Sequence, residues 1–182
     1  HLMSCRLSIV LVHTDCHLLS RCSPPRPTLL PYTTLFRPLA HPEQVPDLHW
    51  NDDPDWAADG RMIRVKCNYR LVVDNLMDLT HETYVHGSSI GNEAVAEAPF
   101  TVTHSEKTAT VTRWMNNVEP PPFWRAQLGK PGAVDRWQII NFEAPCTIAI
   151  DVGVAPAGSG APTGDRSQGV NGYVLNTITP ET

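Results

Sequence analysis

Chemistry is concentrated in one stretch of the chain, Asn75-Leu-Met-Asp78-Leu-Thr-His81-Glu-Thr-Tyr-Val-His86. Two imidazoles, a carboxylate three residues before the first and a carboxamide three before that stand in a largely apolar run, and imidazole nitrogens are common ligands of a transition-metal ion. On a helix Asp78 and His81 are i, i+3 neighbours, so the carboxylate is placed to orient the ring through its second nitrogen. Asn75 to Asp78 repeats that step. His81 and His86 are i, i+5, about 140° apart on an ideal helix, so two rings converging on one ion require a loosened final turn, π or 3₁₀ in character, near His86. Asp74 is the expected N-cap and Gly87 the expected stop of a helix over Asn75 to His86. The plainer alternative is an amphipathic core helix that happens to carry two histidines.

The residues around the pair carry more than the spacing does. Asp74-Asn-Leu-Met-Asp-Leu-Thr-His-Glu-Thr-Tyr-Val-His86 resembles the iron-binding segment of Rieske non-haem iron oxygenases, in the branch that demethylates aromatic methyl ethers, such as vanillate O-demethylase. The resemblance runs from about Leu39 to Thr182 and includes Cys67-Asn-Tyr-Arg-Leu-Val-Val-Asp74, Val152-Gly-Val-Ala-Pro156 and Thr177-Ile-Thr-Pro-Glu-Thr182. It implies that His81 and His86 bind a mononuclear Fe(II), with a later aspartate completing a 2-His-1-carboxylate facial triad that leaves open positions for O2. It implies that Asp78 passes electrons to that iron from the [2Fe-2S] Rieske cluster of a neighbouring subunit. Asn75 is grouped with Asp78 as a catalytic candidate, and by the resemblance Asn176 falls where a side chain can meet the substrate's polar groups, with a structural role at a sheet edge as the alternative.

For the whole protein the resemblance implies an aromatic small-molecule substrate, electrons from NAD(P)H through a separate reductase component, a homotrimer and a cytoplasmic location. The substrate methyl group is hydroxylated and lost as formaldehyde. Two further readings stay open on sequence alone. One is an aromatic-ring dioxygenase of the same family; the other is a non-catalytic hydrophobic-ligand-binding domain in which the two histidines bind nothing.

Several elements must hold the pair. Arg61 to Arg70 alternates apolar Ile63, Val65 and Cys67 with charged Arg64 and Lys66, as a half-exposed antiparallel strand does. The helix that follows is expected to pack through Leu76, Met77, Thr80 and Tyr84, with Glu82 in solvent. Phe100 to His104 and Thr108 to Met115 read as a hairpin turning at residues 105–107, and His104 in it reads as structural. Residues 116–132 read as a long loop in which Phe123 and Trp124 either line a substrate entrance or simply pack. Trp137 to Phe142, Thr147 to Val154 and Gly169 to Thr179 read as further strands, with Ile148, Ile150, Val152 and Val154 on one face. The strands alone give α+β; the resemblance adds an incomplete helix-grip catalytic domain, its antiparallel sheet packed on the iron-binding helix.

Composition bounds the rest. With 182 residues, 41% hydrophobic and 18% charged, the chain is one soluble domain or part of one. A net charge of -5 gives no support to a nucleic-acid partner, and no apolar run approaches the roughly 20 residues of a membrane span. Charge is uneven: residues 1–37 hold Arg6, Arg21, Arg26 and Arg37 against Asp15 and, unlike the acidic remainder, are net basic.

That first segment, with Pro24, Pro25, Pro27 and Pro31, and with Thr28 to Arg37 resembling a translated sequencing-adapter oligonucleotide, reads as non-native or disordered. Residues 38–60 read as a connector following a Rieske domain, with Trp50 and Trp56 packing it against the main domain rather than binding substrate. Residues 61–182 read as the N-terminal part of the catalytic domain. None of the five cysteines forms the C-x-H and C-x-x-H pattern of a Rieske centre, and neither Asp151 nor Asp165 matches the third iron ligand. The cluster and that ligand are therefore expected only in a longer parent protein, and turnover by this chain alone is not expected.

Overall fold

Period-2 alternation of β-branched residues decides the architecture. In the computed structural model, which describes residues 4–14, 47–51 and 53–181, seven strands form one antiparallel sheet: β1 (Ser4–Thr14), β2 (Trp56–Val65), β3 (Phe100–His104), β4 (Thr108–Val118), β5 (Val134–Glu143), β6 (Thr147–Pro156) and β7 (Val170–Glu181). Their order across the sheet is β2-β1-β7-β6-β5-β4-β3, so the five strands from β3 to β7 follow one another as neighbours. Short helices α1 (Tyr69–Met77), α2 (Glu82–Val85) and α3 (Glu93–Glu97) lie between β2 and β3, and α4 (Pro122–Leu128) lies between β4 and β5. The architecture is α+β. Among the described residues no helix is long and apolar enough to cross a membrane.

One face of the sheet carries the helices. Ile140 pairs with Ile150 across β5 and β6, Ile148 with Asn176 across β6 and β7, and Leu7 with Ile178 across β1 and β7. The aliphatic residues among these form the main core with Val72 of α1 and Leu79, while Leu76, Met77 and Cys67 pack against it. Burying each large aliphatic chain of this kind contributes about 1.5–3 kcal/mol relative to leaving it in water. A second cluster joins Trp124 and Leu128 of α4 to Val134 and Val154 on the same face. On the opposite face Trp137, fully buried, packs with Ala155 and Ala161. Its indole nitrogen donates to Asp151, whose carboxylate also pairs with Arg166, and Arg166 lies 4.5 Å above the Trp137 ring. Nearby, Trp50 stacks on Tyr173 at 4.2 Å with Trp56 beside them, so both tryptophans pack against the domain as expected, although Trp56 opens β2, which begins inside the expected connector and ends at Val65 rather than Arg70.

Three further expectations about elements change. Residues 1–37 were expected to stay outside any fold, yet Ser4–Thr14 is strand β1, paired with β2 on one side and β7 on the other. Cys5 and Leu7 alternate inward into the core, and the β-branched run from Leu7 to Val12 supplies the propensity. The proline-rich and adapter-like part of that segment, and the connector up to Pro46, lie outside the described residues. Residues 116–132 are not one long loop: β4 extends to Val118, Asn117 turns with positive φ, and Pro122 opens α4 at its first position, where its missing N–H costs nothing. Trp124 packs there, and Phe123 is partly exposed.

The helix expected from Asn75 to His86 starts earlier and breaks in the middle. Asn68, not Asp74, is the N-cap, its side chain accepting from the Arg70 N–H. The helix ends at Met77 because Asp78 turns extended and its carboxylate caps the next segment, a 3₁₀ turn over Leu79–His81. A capping carboxylate competes with the helical backbone for local N–H groups, which explains a break at an aspartate rather than at glycine. Gly87 is not left-handed; the helical turn of α2 ends at Val85 with His86 as its cap residue.

Candidate metal centre

The break at Asp78 shapes the site. The loosened turn lies before and at His81 rather than near His86: 3₁₀ winding over Leu79–His81 followed by the single α turn Glu82–Val85 brings the two rings onto the same side. Their centroids are 5.6 Å apart with planes inclined at 69°. Metal–imidazole bonds are about 2.0–2.1 Å, so rings that share one ion have centroids on the order of 6 Å apart or less; the observed pair is within that reach.

His81 is oriented by a backbone group, not by the expected carboxylate. Its Nδ1 lies 2.8 Å from the Asp78 carbonyl oxygen. A carbonyl only accepts, so Nδ1 carries the hydrogen and donates, and Nε2 is left with its lone pair outward. The Asp78 carboxylate instead accepts from Thr80 twice, from Oγ1 at 2.7 Å and from the backbone N–H at 2.9 Å. The Thr80 hydroxyl first, and the Thr80 N–H after it, hold this carboxyl below the usual aspartate range. Asp78 and Asn75 are both exposed, Asn75 on the last turn of α1. Among the described residues no group of three or more His, Cys, Asp or Glu side chains is placed to hold a metal, so the pair stands as a two-nitrogen donor set.

Sequence reading missed the residue that anchors this turn. Glu82 was expected in solvent and is instead buried, as is Arg136 on β5; Arg136 Nη2 and Gln138 Nε2 each donate to Glu82 Oε2 at 2.8 Å. The pin therefore sits immediately after His81 and one turn before His86. Burial pushes the Glu82 carboxyl up, opposed by Arg136, and pushes the Arg136 guanidinium down, opposed by Glu82. Asn92 extends the network, accepting from Arg136 at 3.3 Å, donating to the Glu119 carbonyl and accepting the Thr83 hydroxyl on its own carbonyl. Gly91 packs so closely beneath α2 that a β-carbon there would strike the Glu82 carbonyl. Tyr84, expected on the packing face, is 81% exposed.

One guanidinium in this network has no carboxylate in contact among the described residues. Arg113, on the helix-bearing face of β4, is 4% exposed; among the described residues its side chain makes one hydrogen bond, from Nη1 to Gln138 Oε1 at 3.3 Å, and its Nε is buried without a partner. Burial pushes it down from the usual arginine range, with Asp78 and Glu82 opposing. Asn176 is buried on the same face of the sheet, between the Ile148 and Ile9 positions, and donates to the Val174 carbonyl. Ser88 and Ser89 are exposed, and His104 is exposed on the edge strand β3.

Residues 65–182 match the family described as the vanillate O-demethylase oxygenase C-terminal domain. The chain is 46% identical over 150 residues to a vanillate O-demethylase oxygenase subunit of a Pseudomonas species, covering 80% of this chain and 42% of that protein. It is 34% identical over 147 residues to a toluene-4-sulfonate monooxygenase iron-sulfur subunit of Comamonas testosteroni, covering 79% of this chain and 42% of that one. Among solved structures, dicamba monooxygenase bound to dicamba is similar in fold, with a TM-score of 0.60 at 24% identity over 78% of this chain and 44% of that chain. The chain thus spans less than half the length of the curated relatives it matches.

Proposed function

The chain belongs to the vanillate O-demethylase oxygenase C-terminal domain family, and from that premise we propose that it is part of the catalytic domain of a Rieske-type monooxygenase that oxidatively demethylates an aromatic methyl ether such as vanillate. The observation that carries the proposal is the histidine pair: two rings 5.6 Å apart, one of them locked with its Nε2 lone pair free. Fe(II) is the ion proposed for His81 and His86, and when bound it supplies oxygen activation. The nitrogen donors suit it, since imidazole is a good ligand for iron.

Within this proposal the chain's own residues divide the work. The Asp78 carbonyl fixes the tautomer of His81, and Glu82 holds the histidine turn against β5. Asp78, ionised and exposed, is the group through which electrons from a neighbouring subunit's [2Fe-2S] cluster would approach; Asn75, one turn earlier, supports that approach. Asn176 presents a carboxamide on the buried sheet face to a polar group of the aromatic substrate. A helix-grip arrangement, a homotrimeric parent protein and a cytoplasmic setting that supplies NAD(P)H complete the proposal. A separate reductase is supported by relatives named as oxygenase components.

Titration of the chain with Co(II), a spectroscopic stand-in for Fe(II), tests the centre. One ion per chain is expected, with binding lost in both His81→Ala and His86→Ala. Equal affinity in the wild type and both variants refutes the site.

A further inference from the structure

We propose that Arg113 is a binding residue for the anionic group of an aromatic acid, the carboxylate of the substrate proposed above. Charge balance carries the argument. The buried polar cluster beside the histidine turn contains two guanidiniums, Arg113 and Arg136, and one carboxylate, Glu82. Glu82 Oε2 is committed to Arg136 and Gln138. Among the described residues no carboxylate lies within 4 Å of Arg113; the exposed Asp78 carboxylate, hydrogen-bonded to Thr80, acts on it only from beyond that distance. The buried cluster therefore holds one guanidinium that no carboxylate touches, and buried charges are held in proteins when they are paired.

Position and shape identify the partner. Arg113 is linked to the histidine turn by a single side chain: Gln138 accepts from Arg113 Nη1 and donates to Glu82. The Phe100 ring lies 5.4 Å from the Arg113 Cζ and is 56% exposed, with Val102 two residues along β3 also exposed. An aromatic ring laid on this apolar strip can place an attached carboxylate or sulfonate against the free edge of the guanidinium, whose planar fork matches such groups. Arg136, by contrast, already has its carboxylate.

The aromatic identity of the ligand rests on the demethylase reading; the anion site does not. Binding of vanillate and of 2-methoxyphenol, the same ring without the carboxylate, is measured calorimetrically on the wild-type chain, Arg113→Met and Arg113→Lys. The expected result is a wild-type preference for vanillate of roughly tenfold or more, the scale of a charge-assisted hydrogen bond, lost in Arg113→Met and partly kept in Arg113→Lys, with 2-methoxyphenol affinity unchanged. A wild type without preference, or an Arg113→Met that keeps it, overturns the assignment. Co(II) titration separates the two proposals: vanillate preference in a wild type that binds no Co(II) upholds Arg113 and sinks the iron centre.

Discussion

Removing the Glu82 carboxylate should do more damage than any other single change near the histidines. Glu82→Ala deletes the partner of Arg136, whose side chain is 2% exposed, and one acceptor of Gln138. Truncating one member of a buried ion pair costs about 3–5 kcal/mol, because the remaining charge is left desolvated. The lost Gln138 contact adds about 1 kcal/mol. Against a typical domain stability of about 5–15 kcal/mol, that is enough to unfold a large fraction of molecules in mild denaturant.

The assay is urea unfolding followed by tryptophan fluorescence, with Arg136→Met and the double variant Glu82→Leu with Arg136→Met completing a cycle. Each single variant should be severely destabilised, whereas the double variant, which removes both charges, should recover much of the loss, since apolar replacement of a whole buried pair is often close to neutral. Glu82→Gln should fall between, as an amide oxygen can still accept from Gln138. A Glu82→Ala loss below about 0.5 kcal/mol, the scale of an ordinary surface substitution, would show that Glu82 is solvated after all and refute the reasoning.

Other expectations are narrower. Thr80→Val removes the hydroxyl that chiefly lowers the Asp78 carboxyl, so carbon-detected NMR titration should show that group titrating higher than in the wild type. Because its folded value lies below its unfolded one, Asp78 contributes stability above its ordinary value, and that contribution is lost as pH falls through the folded value; the wild-type advantage over Thr80→Val should shrink there, and an unchanged Asp78 titration would count against the cap. Gly91→Ala drives a methyl group into the Glu82 carbonyl and should cost about 1–3 kcal/mol through overpacking, with weaker Co(II) binding; a neutral result in both measurements would mean that this turn is not packed as described. On the far face, Asp151→Leu leaves the Trp137 indole N–H and Arg166 without their acceptor and should lower stability by about 1–3 kcal/mol without changing Co(II) affinity.

The strands β3 to β7 and the nearness of the two histidine rings were legible in the sequence because they follow local patterns, whereas β1 and the span of β2 were not. The hairpin of β3 and β4 announces itself through alternating Thr and Val, and the single-face pattern of Ile148, Ile150 and Val154 survives as buried core. The anchoring network was illegible for the same reason. Arg113, Arg136, Gln138 and Glu82 are polar, so a period-2 or helical reading assigns them to water, and only long-range pairing turns them inward. Three misses had local signals. Asn68 followed by Tyr-Arg-Leu-Val-Val marks a helix start better than Asp74 does, and proline at the first helical position marks α4. The break at Asp78 had a local signal too, in the hydroxyl two residues ahead, which gives the carboxylate a capping partner.

If the metal centre proposed above is present, the hydrogen bond from His81 Nδ1 to the Asp78 carbonyl has a further outcome for its loading. Neutral imidazole exchanges between two protonated forms in solution, and an incoming cation must wait for the right one and then freeze the ring. Here folding has already made both choices, so uptake at His81 requires neither tautomerisation nor ring reorientation. Discrimination between ions then falls to His86 and to whatever completes the shell.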